Sequence, residues 1–417
     1  MKQRTAAVTT ILAGLTLATA ALAPFEPWPA PDRASHLDES VFVNGLDAGE
    51  PESVLYVWTR DADARDSDFL AVVDVDPASD RFGEIIDVEP TGSAGNEAHH
   101  FGYTAAANRI FAGGLFSNRL FIYDVGGDPR SPELLRTVDL DHTGYSGPHT
   151  LYAVPDGVLL AMLGTPDGGG PAALVKVDDD GRFVEAYPQQ GHDGVPEHMY
   201  DVGVKPEMNR MITSSWAHPQ HVKMEGGSPP ERTADEVVVW NWRTKEVLQV
   251  EELDLAPLEV RWQHGPAARG GFINTAYGNT VWYWEDDDRD GHIDFHRIIE
   301  LPEGAAPADM RISYDNRFLY VSNFGGGSVQ QYDVGDPLNP RLVDEVELPH
   351  PNMMKLSPDS ERLYVTNSLL STMDPDEDFR AWLLHVGPDG MSVDERFDPD
   401  FKGFETGPAG PHDMLLK

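Results

Sequence analysis

Residues 315–334 read DNRFLYVSNFGGGSVQQYDV. A turn-forming Asp-Asn pair precedes a short run of aromatic and β-branched residues, and glycines separate that run from a second one, as in consecutive antiparallel strands. The pattern returns as ANRIFAGGLFSNRLFIYDV at residues 107–125 and as SPDSERLYVTN at residues 357–367. Tyr123 and Tyr332, in the two Tyr-Asp-Val triplets, are separated by about four units of roughly 50 residues. Units of this length that contain several short strands predict an all-β fold, a β-propeller.

The number of blades follows from the residues that start the first strand of each unit. These starts are His99/His100, His149, Tyr200/Asp201, His264, Asp309, Met353 and His412. Seven starts predict seven blades. The last strand has no sequence after it to supply partners, so we expect it to pair with N-terminal strands between residues 53 and 75. Such pairing closes the ring and removes two open sheet edges.

Histidine is concentrated at these starts. Four of the seven carry it, although only 15 of the 417 residues are histidine. The first strands of a propeller line its central channel, so the starts converge on one mouth. Neighbouring side chains of a regular strand point to opposite faces, so His99 and His100 need a bulge or turn to point inward together. The pattern predicts a metal site, with a pair of unrelated surface histidines as the alternative.

The chain contains no cysteine. This excludes cysteine nucleophiles, iron–sulfur clusters, blue copper and cysteine-ligated zinc. An all-imidazole site suits Cu(II), zinc or nickel, and copper has the highest affinity in the divalent series.

Composition and the N-terminus indicate an exported protein. Residues 1–23 combine Lys2 and Arg4 with an apolar stretch and a small-residue site at Ala18–Ala20, which is typical of a signal peptide. Residues 24–52 are expected to be a linker and residues 53–417 the propeller. The net charge of −39 opposes binding to nucleic acid and anionic membranes. Because the sequence has no second long apolar stretch, we do not expect membrane insertion. Homo-oligomer formation is left open.

Three other motifs are weaker. DDDRDGHID resembles the first half of a calcium loop, but its twelfth position is Arg297, which favours an acidic hairpin tip at residues 286–294. WAHPQH supplies His218 and His221, which we interpret as loop residues. TPDGGGP lacks the following Lys-Ser/Thr of a phosphate loop.

Longer motifs resemble the selenium-binding protein family. They are EAHHFGY, PLEVRWQHGP, ADMRISYDNRFLYVSNFGGGSVQQYDVGDPLNPRL, SPDSERLYVTNSL and GPHDM, and the resemblance runs from about residue 50 to the C-terminus. It implies a seven-bladed propeller. Exported bacterial members include copper-dependent methanethiol oxidases, so it also implies conversion of methanethiol, O2 and water to formaldehyde, hydrogen sulfide and hydrogen peroxide. Animal members carry a cysteine associated with selenium that this chain lacks, which argues against selenium binding through a thiol.

The resemblance and the residue types together give a predicted site. We expect His99, His100, His149 and His412 to bind copper, and His264, Glu259 and Asp309 to orient ligands or transfer protons. Asp201 and Asp309 could equally cap the start of a strand. The main alternative is a non-catalytic propeller that binds copper or selenium species, and zinc-dependent hydrolysis is a third hypothesis.

Overall fold

A computed structural model describes residues 37–38, 41–42, 52–188, 196–286 and 291–417. Almost all of the regular secondary structure in these residues is β-strand. The strands in chain order are β1 (Leu37–Asp38), β2 (Val41–Phe42), β3 (Val54–Asp61), β4 (Ser67–Asp74), β5 (Ile85–Ala94), β6 (Ala98–Tyr103), β7 (Arg109–Gly114), β8 (Arg119–Asp124), β9 (Glu133–Asp139), β10 (Ser146–Val154), β11 (Gly157–Gly164), β12 (Ala173–Val177), β13 (Phe183–Tyr187), β14 (Val202–Lys205), β15 (Arg210–Thr213), β16 (Glu236–Asn241), β17 (Val247–Glu252), β18 (Pro257–Trp262), β19 (Gly270–Thr275), β20 (Thr280–Glu285), β21 (Asp294–Glu300), β22 (Pro307–Ile312), β23 (Phe318–Asn323), β24 (Ser328–Asp333), β25 (Arg341–Glu347), β26 (Met354–Leu356), β27 (Arg362–Thr366), β28 (Ala381–Gly387), β29 (Gly390–Val393) and β30 (Ala409–Leu416).

Short helical turns complete the described elements. They are helix α1 (Pro219–Val222) and the 3-10 turns Asp141–Thr143, Pro206–Met208 and Pro230–Arg232. No helix in the described ranges combines the length and the apolar character needed to cross a bilayer.

The strands form seven four-stranded antiparallel sheets, the blades of a β-propeller, and a separate pair β1–β2. We number the blades by their inner strands, so that blade 1 is β30-β3-β4-β5 and blades 2 to 7 begin with β6, β10, β14, β18, β22 and β26. The predicted seven-bladed fold is confirmed.

Blade 1 closes the ring. Strand β30 pairs with β3 in the register Leu416 to Leu55 and Met414 to Val57. The backbone N–H groups of Ser53 and Val54 both donate to the carbonyl of Lys417, at 2.9 Å. The predicted closure by the C-terminal strand is therefore confirmed. The predicted signal peptide (1–23) lies outside the described residues and stays a prediction, as does the linker (24–52), most of which is also outside them.

The repeated turn motif explains the second strand of each blade. In four blades the turn between the first and second strands contains a non-glycine residue with positive φ: Ala107 (49°), Asn209 (54°), Asn316 (61°) and Ser360 (59°). Asparagine tolerates this left-handed region better than most residues, which is why Asn-containing turns mark the repeat. Strands β20 and β21 pair antiparallel up to Glu285 and Asp294, and residues 287–290 of the acidic segment between them lie outside the described residues.

The core lies between neighbouring blades. Trp58 of blade 1, for example, donates its indole N–H to the carbonyl of Gly113 in blade 2 at 3.0 Å. Its ring also lies 5.9 Å from that of Phe121. Such packing fixes each blade against the next, since burial of one large apolar side chain contributes about 1.5–3 kcal/mol.

Candidate metal centre

The inner strands of the seven blades bring equivalent residues together. Pairing with the second strand places one apolar residue of each inner strand at an equivalent position: Phe101, Leu151, Val202, Val260, Met310, Met354 and Met414. The residues one position earlier form what we call the lower layer: His100, Thr150, Asp201, Glu259, Asp309, Met353 and Asp413. The residues two positions earlier form the upper layer: His99, His149, Tyr200, Leu258, Ala308, Asn352 and His412.

A β-bulge interrupts the pairing at these positions. The register shifts between Ala98 and Phe101 in β6 and between Pro148 and Leu151 in β10, and the pairing of β30 shifts next to His412. A bulge leaves two residues opposite one and re-aims their side chains. This accounts for His99 and His100 meeting in one cluster although they are adjacent in a strand, as the sequence predicted.

Four of the predicted metal ligands form one buried cluster. The Nε2 atoms of His99 and His149 lie 2.9 Å apart. The ring centroids of His99 and His412 are separated by 3.9 Å, and those of His100 and His149 by 4.3 Å. Ligand atoms of His99, His100 and His412 all lie within 4.8 Å of one another. None of the four residues is more than 5% exposed.

Hydrogen bonds fix the tautomers of two of these rings. Nδ1 of His100 donates to Oδ2 of Asp413 at 3.1 Å, and Nδ1 of His412 donates to the carbonyl of Ser368 at 2.8 Å. Each ring then keeps its lone pair on Nε2. Both Nε2 atoms are buried and have no hydrogen-bond partner among the described residues. An unpaired buried acceptor is costly, and a metal ion would satisfy both.

The electrostatics keep three of the rings neutral. Burial, followed by the neighbouring imidazoles, holds the pKa of His99 and of His149 well below the usual value. Burial and then His100 lower the pKa of His412 to about 3. Burial also acts against protonation of His100, but the hydrogen bond and charge of Asp413, with Glu259, outweigh it and raise its pKa. Neutral imidazole is the form that binds metal.

Glu259 faces this cluster from the lower layer. Its Oε1 lies 4.0 Å from Nε2 of His100 and has no hydrogen-bond partner among the described residues. Its Oε2 accepts a hydrogen bond from Nη2 of Arg261 at 2.5 Å. Burial raises the pKa of Glu259 to about 7, against the opposing charge of Arg261. The prediction of Glu259 as a proton-transfer residue is therefore compatible with its position.

Asp309 lies in the same layer but does not contact the histidines. Its carboxylate pairs with Arg261 at 2.7 Å and with Arg311 at 2.8 Å, and accepts the backbone N–H groups of Met310 and Met354. This arrangement ties blade 6 to blades 5 and 7. The structure therefore assigns Asp309 to the strand-holding role that was the alternative interpretation, and Asp201, which pairs with Arg261 at 3.1 Å, has a similar place.

His264 is not at the start of an inner strand, and the register expected for blade 5 is wrong. Strand β18 begins at Pro257 and ends at Trp262, so His264 follows its far end. Its Nε2 lies 3.1 Å from the carbonyl of Ile312, and its ring lies 4.7 Å from that of Tyr314. In blade 5, Leu258 occupies the position equivalent to His99, and Glu259 the position equivalent to His100.

Apolar side chains cover the upper layer. Tyr200 and Leu258 of that layer belong to a buried cluster with Leu163, Trp216 and Leu370. The Tyr200 ring lies 3.7 Å from that of His149 and 5.6 Å from that of Trp216. His99, His149 and His412 thus lie between an apolar cover and the lower layer, most of whose residues, including His100 and Glu259, line a small cavity.

Two functional contacts were absent from the sequence-based prediction. Asp413 orients His100, and Nδ2 of Asn352 donates to the same Ser368 carbonyl that accepts from Nδ1 of His412. Asp413 follows His412 directly, in the same blade position as Asp201 and Asp309. That repeat was the one signal in the sequence that could have indicated it.

The ring closed by its C-terminal strand, with four histidines buried at its inner strands, defines a seven-bladed propeller with a histidine centre. Comparison with known proteins identifies the group more closely. The family model of the 56 kDa selenium binding proteins (SBP56) matches residues 43–417, and the chain belongs to this family.

Relatives with assigned names support this placement. A protein named methanethiol oxidase from Hyphomicrobium sp is 31% identical, with 89% of this chain and 88% of that protein covered. Another of the same name, from Ruegeria pomeroyi, is 31% identical over 87% of this chain and 89% of its own length. The X-ray structure of a hypothetical selenium-binding protein from Sulfolobus tokodaii superposes with a TM-score of 0.80 at 26% identity, covering 88% of this chain and 94% of that one.

Proposed function

We propose that this protein is a methanethiol oxidase whose metal is copper, held by His99, His100, His149 and His412. The observation that carries the proposal is the convergence of four buried imidazoles, two of which have an Nε2 acceptor without a partner among the described residues. The shared name of the relatives from Hyphomicrobium and Ruegeria supports the substrate.

The donor set fits copper. Imidazole nitrogen suits copper, zinc and nickel, and copper has the highest affinity in the divalent series. Copper bound here would supply a Lewis-acidic, redox-active centre for a thiolate substrate. The hydrogen bond from His100 to Asp413 has the carboxylate–histidine arrangement that fixes a metal-binding ring and increases its basicity.

We assign proton transfer and contact with the substrate methyl group to different residues around the cluster. Glu259, with a pKa raised to about 7 by burial, is suited to accept the proton of a substrate thiol near neutral pH. Leu258, Leu370 and Trp216 would contact the methyl group and exclude bulk water from the centre. In the balanced reaction, methanethiol, dioxygen and water in equal amounts would yield formaldehyde, hydrogen sulfide and hydrogen peroxide in the same amounts. Dioxygen is the oxidant and is reduced to peroxide.

Turnover by the copper-loaded protein tests the proposal. Methanethiol loss, oxygen uptake and the three products should appear in equal amounts, and protein freed of copper by chelation should be inactive. A protein that binds copper but oxidises no small thiol would reject the oxidase and leave the non-catalytic binding function.

We also propose export to the periplasm, on the basis of residues 1–23. N-terminal sequencing of active native protein should start near Ala21 or Pro24, whereas an intact Met1 would contradict export.

A further inference from the structure

A second group of histidines lies away from the axial centre, where blades 3 and 4 adjoin. It contains His198, which precedes β14, His218, which precedes α1, and His221 within α1. The rings of His198 and His218 stack at 4.2 Å with an angle of 15°, and those of His218 and His221 lie 6.0 Å apart at 23°. Three imidazoles from two separate segments therefore meet, whereas the sequence indicated only unrelated loop residues.

A carboxylate joins this group. Oε1 of Glu197 lies 3.3 Å from Nε2 of His218, while the Glu197 side chain is 60% exposed. Nδ1 of His221 is buried and has no hydrogen-bond partner among the described residues. The cluster thus presents one buried nitrogen without a partner and one carboxylate open to solvent.

Gly170 leaves space beside Oε1 of Glu197 and Nε2 of His218. A Cβ at this position would lie 2.5 Å from Oε1 of Glu197 and 2.7 Å from Nε2 of His218. Any other residue here would occupy the volume next to both atoms. A glycine keeps that volume free for a metal ion, which would replace the proton that Nε2 of His218 directs at the backbone carbonyl of Glu197, 3.1 Å away.

Burial favours the neutral form of two of these imidazoles, His198 and His221. Burial, and then the neighbouring rings His218 and His221, lower the pKa of His198 to about 4. Burial, and then His218, also lowers the pKa of His221. Glu197 is the acidic side chain in contact with His218. Neutral imidazoles with an adjacent carboxylate are a donor set for borderline divalent metals.

We propose that His198, His218, His221 and Glu197 form a second metal site, which binds a divalent transition-metal ion of the zinc, nickel and copper class. No three of these four residues bring their ligand atoms within 4.8 Å of one another in the structure, so binding requires the side chains to rotate toward one ion. The proposal is independent of the oxidase activity. Tyr200 contacts His149, and Trp216, two positions before His218 in the chain, contacts Tyr200, so the two sites share no ligand.

Zinc binding by full-length protein tests this inference. The axial centre is first disabled by His100→Ala with His412→Ala, and Zn2+ binding is measured by calorimetry and by metal analysis after dialysis. One equivalent should remain. Adding His218→Ala and His221→Ala should weaken it by about tenfold or more, since two ligands are lost. Adding His296→Ala and His385→Ala, two histidines that each contact a single carboxylate, should leave it unchanged.

Gly170→Ala provides a second test without removing a ligand. It should weaken zinc binding, whereas Gly127→Ala, where a Cβ meets nothing within 4 Å, should not. If the axial variant is unstable, the same comparisons in the wild-type background should show two equivalents falling to one. An absence of zinc binding beyond the axial site, or equal binding after loss of His218 and His221, would overturn the proposal.

Discussion

Nδ1 of His100 and Oδ2 of Asp413 lie 3.1 Å apart, although 313 positions separate the two residues in the chain. The contact joins blade 2 to the C-terminal strand of blade 1, so the orientation of one proposed metal ligand depends on closure of the ring. The other oxygen of Asp413 accepts the backbone N–H of Met414 at 2.7 Å. Both oxygens are therefore engaged, one by the ring and one by the backbone.

Asp413→Asn should weaken copper binding by about 10- to 100-fold. If the amide oxygen of the introduced asparagine keeps the hydrogen bond from Met414, the amide nitrogen faces Nδ1 of His100. Nδ1 must then accept a hydrogen bond, so the ring proton moves to Nε2. Nε2 thereby loses the lone pair with which it would bind the metal. Equilibrium copper competition measures the loss. Asp394→Asn, which removes the carboxylate 3.0 Å from the exposed His385, is the matched control and should keep wild-type affinity. Equal affinity in both variants would contradict the role of Asp413.

Copper binding by His412→Ala and by His264→Ala should distinguish a histidine of the cluster from a buried histidine outside it. Loss of His412 removes one of four ligands, so copper binding and oxidase activity should fall by at least about 100-fold in a folded protein. His264 contacts the carbonyl of Ile312 and should be dispensable for copper. Circular dichroism and copper analysis check both variants. Full copper in His412→Ala, or copper loss in His264→Ala, would refute the ligand set.

Deletion of residues 411–417 should prevent stable folding. It removes most of β30, exposes the edge of β3 and takes away the buried side chains of Met414, Leu415 and Leu416. Each such loss costs about 2–5 kcal/mol, and the sum approaches the whole stability of a typical protein, about 5–15 kcal/mol. Urea unfolding compares the truncated chain with His412→Ala, which retains the strand. A truncated protein of wild-type stability would refute closure.

Lys245 provides a prediction for the pH dependence of stability. Burial beside Trp242 and Tyr187, followed by the charge of Lys176, lowers its pKa to about 8. Between pH 8 and about 10.5 the unfolded chain holds a proton that the folded protein has released, so this group increases stability as pH rises. Lys245→Met removes the effect. The stability of the variant relative to wild type should be highest near pH 7 and should decrease by pH 10, as measured by urea unfolding. A pH-independent difference would contradict the assigned burial.

The sequence was sufficient for the fold because the repeat is local. Turn residues such as Asn316 and the strands beside them recur at a regular spacing, and the short distance from His412 to the end of the chain indicated closure. The same spacing placed His99, His149 and His412 in equivalent positions. Local pattern and blade geometry therefore determined most of the proposed ligand set.

The spacing of the repeat predicts the wrong inner strand where a blade departs from the regular length. Between β15 and β16 the chain carries an insertion with α1, and the longer interval led to His264 being chosen as the start of blade 5 instead of Leu258 and Glu259. Side-chain partners could not be predicted for a related reason. The meeting of His100 with Asp413, or of His198 with His218, depends on which segments adjoin in space, and the period of the repeat does not contain that information.

Closure by β30 also has a consequence for the order of events during synthesis. His412 lies in β30, which is synthesised after all the other described strands, and β30 pairs with β3, which is made before the strands of blades 2 to 7. Six blades can form before this residue is available, but the four-histidine centre cannot. If these four histidines hold the proposed metal, it would bind all of them only after β30 has been made and paired, so an axial site with its full affinity would indicate a closed ring.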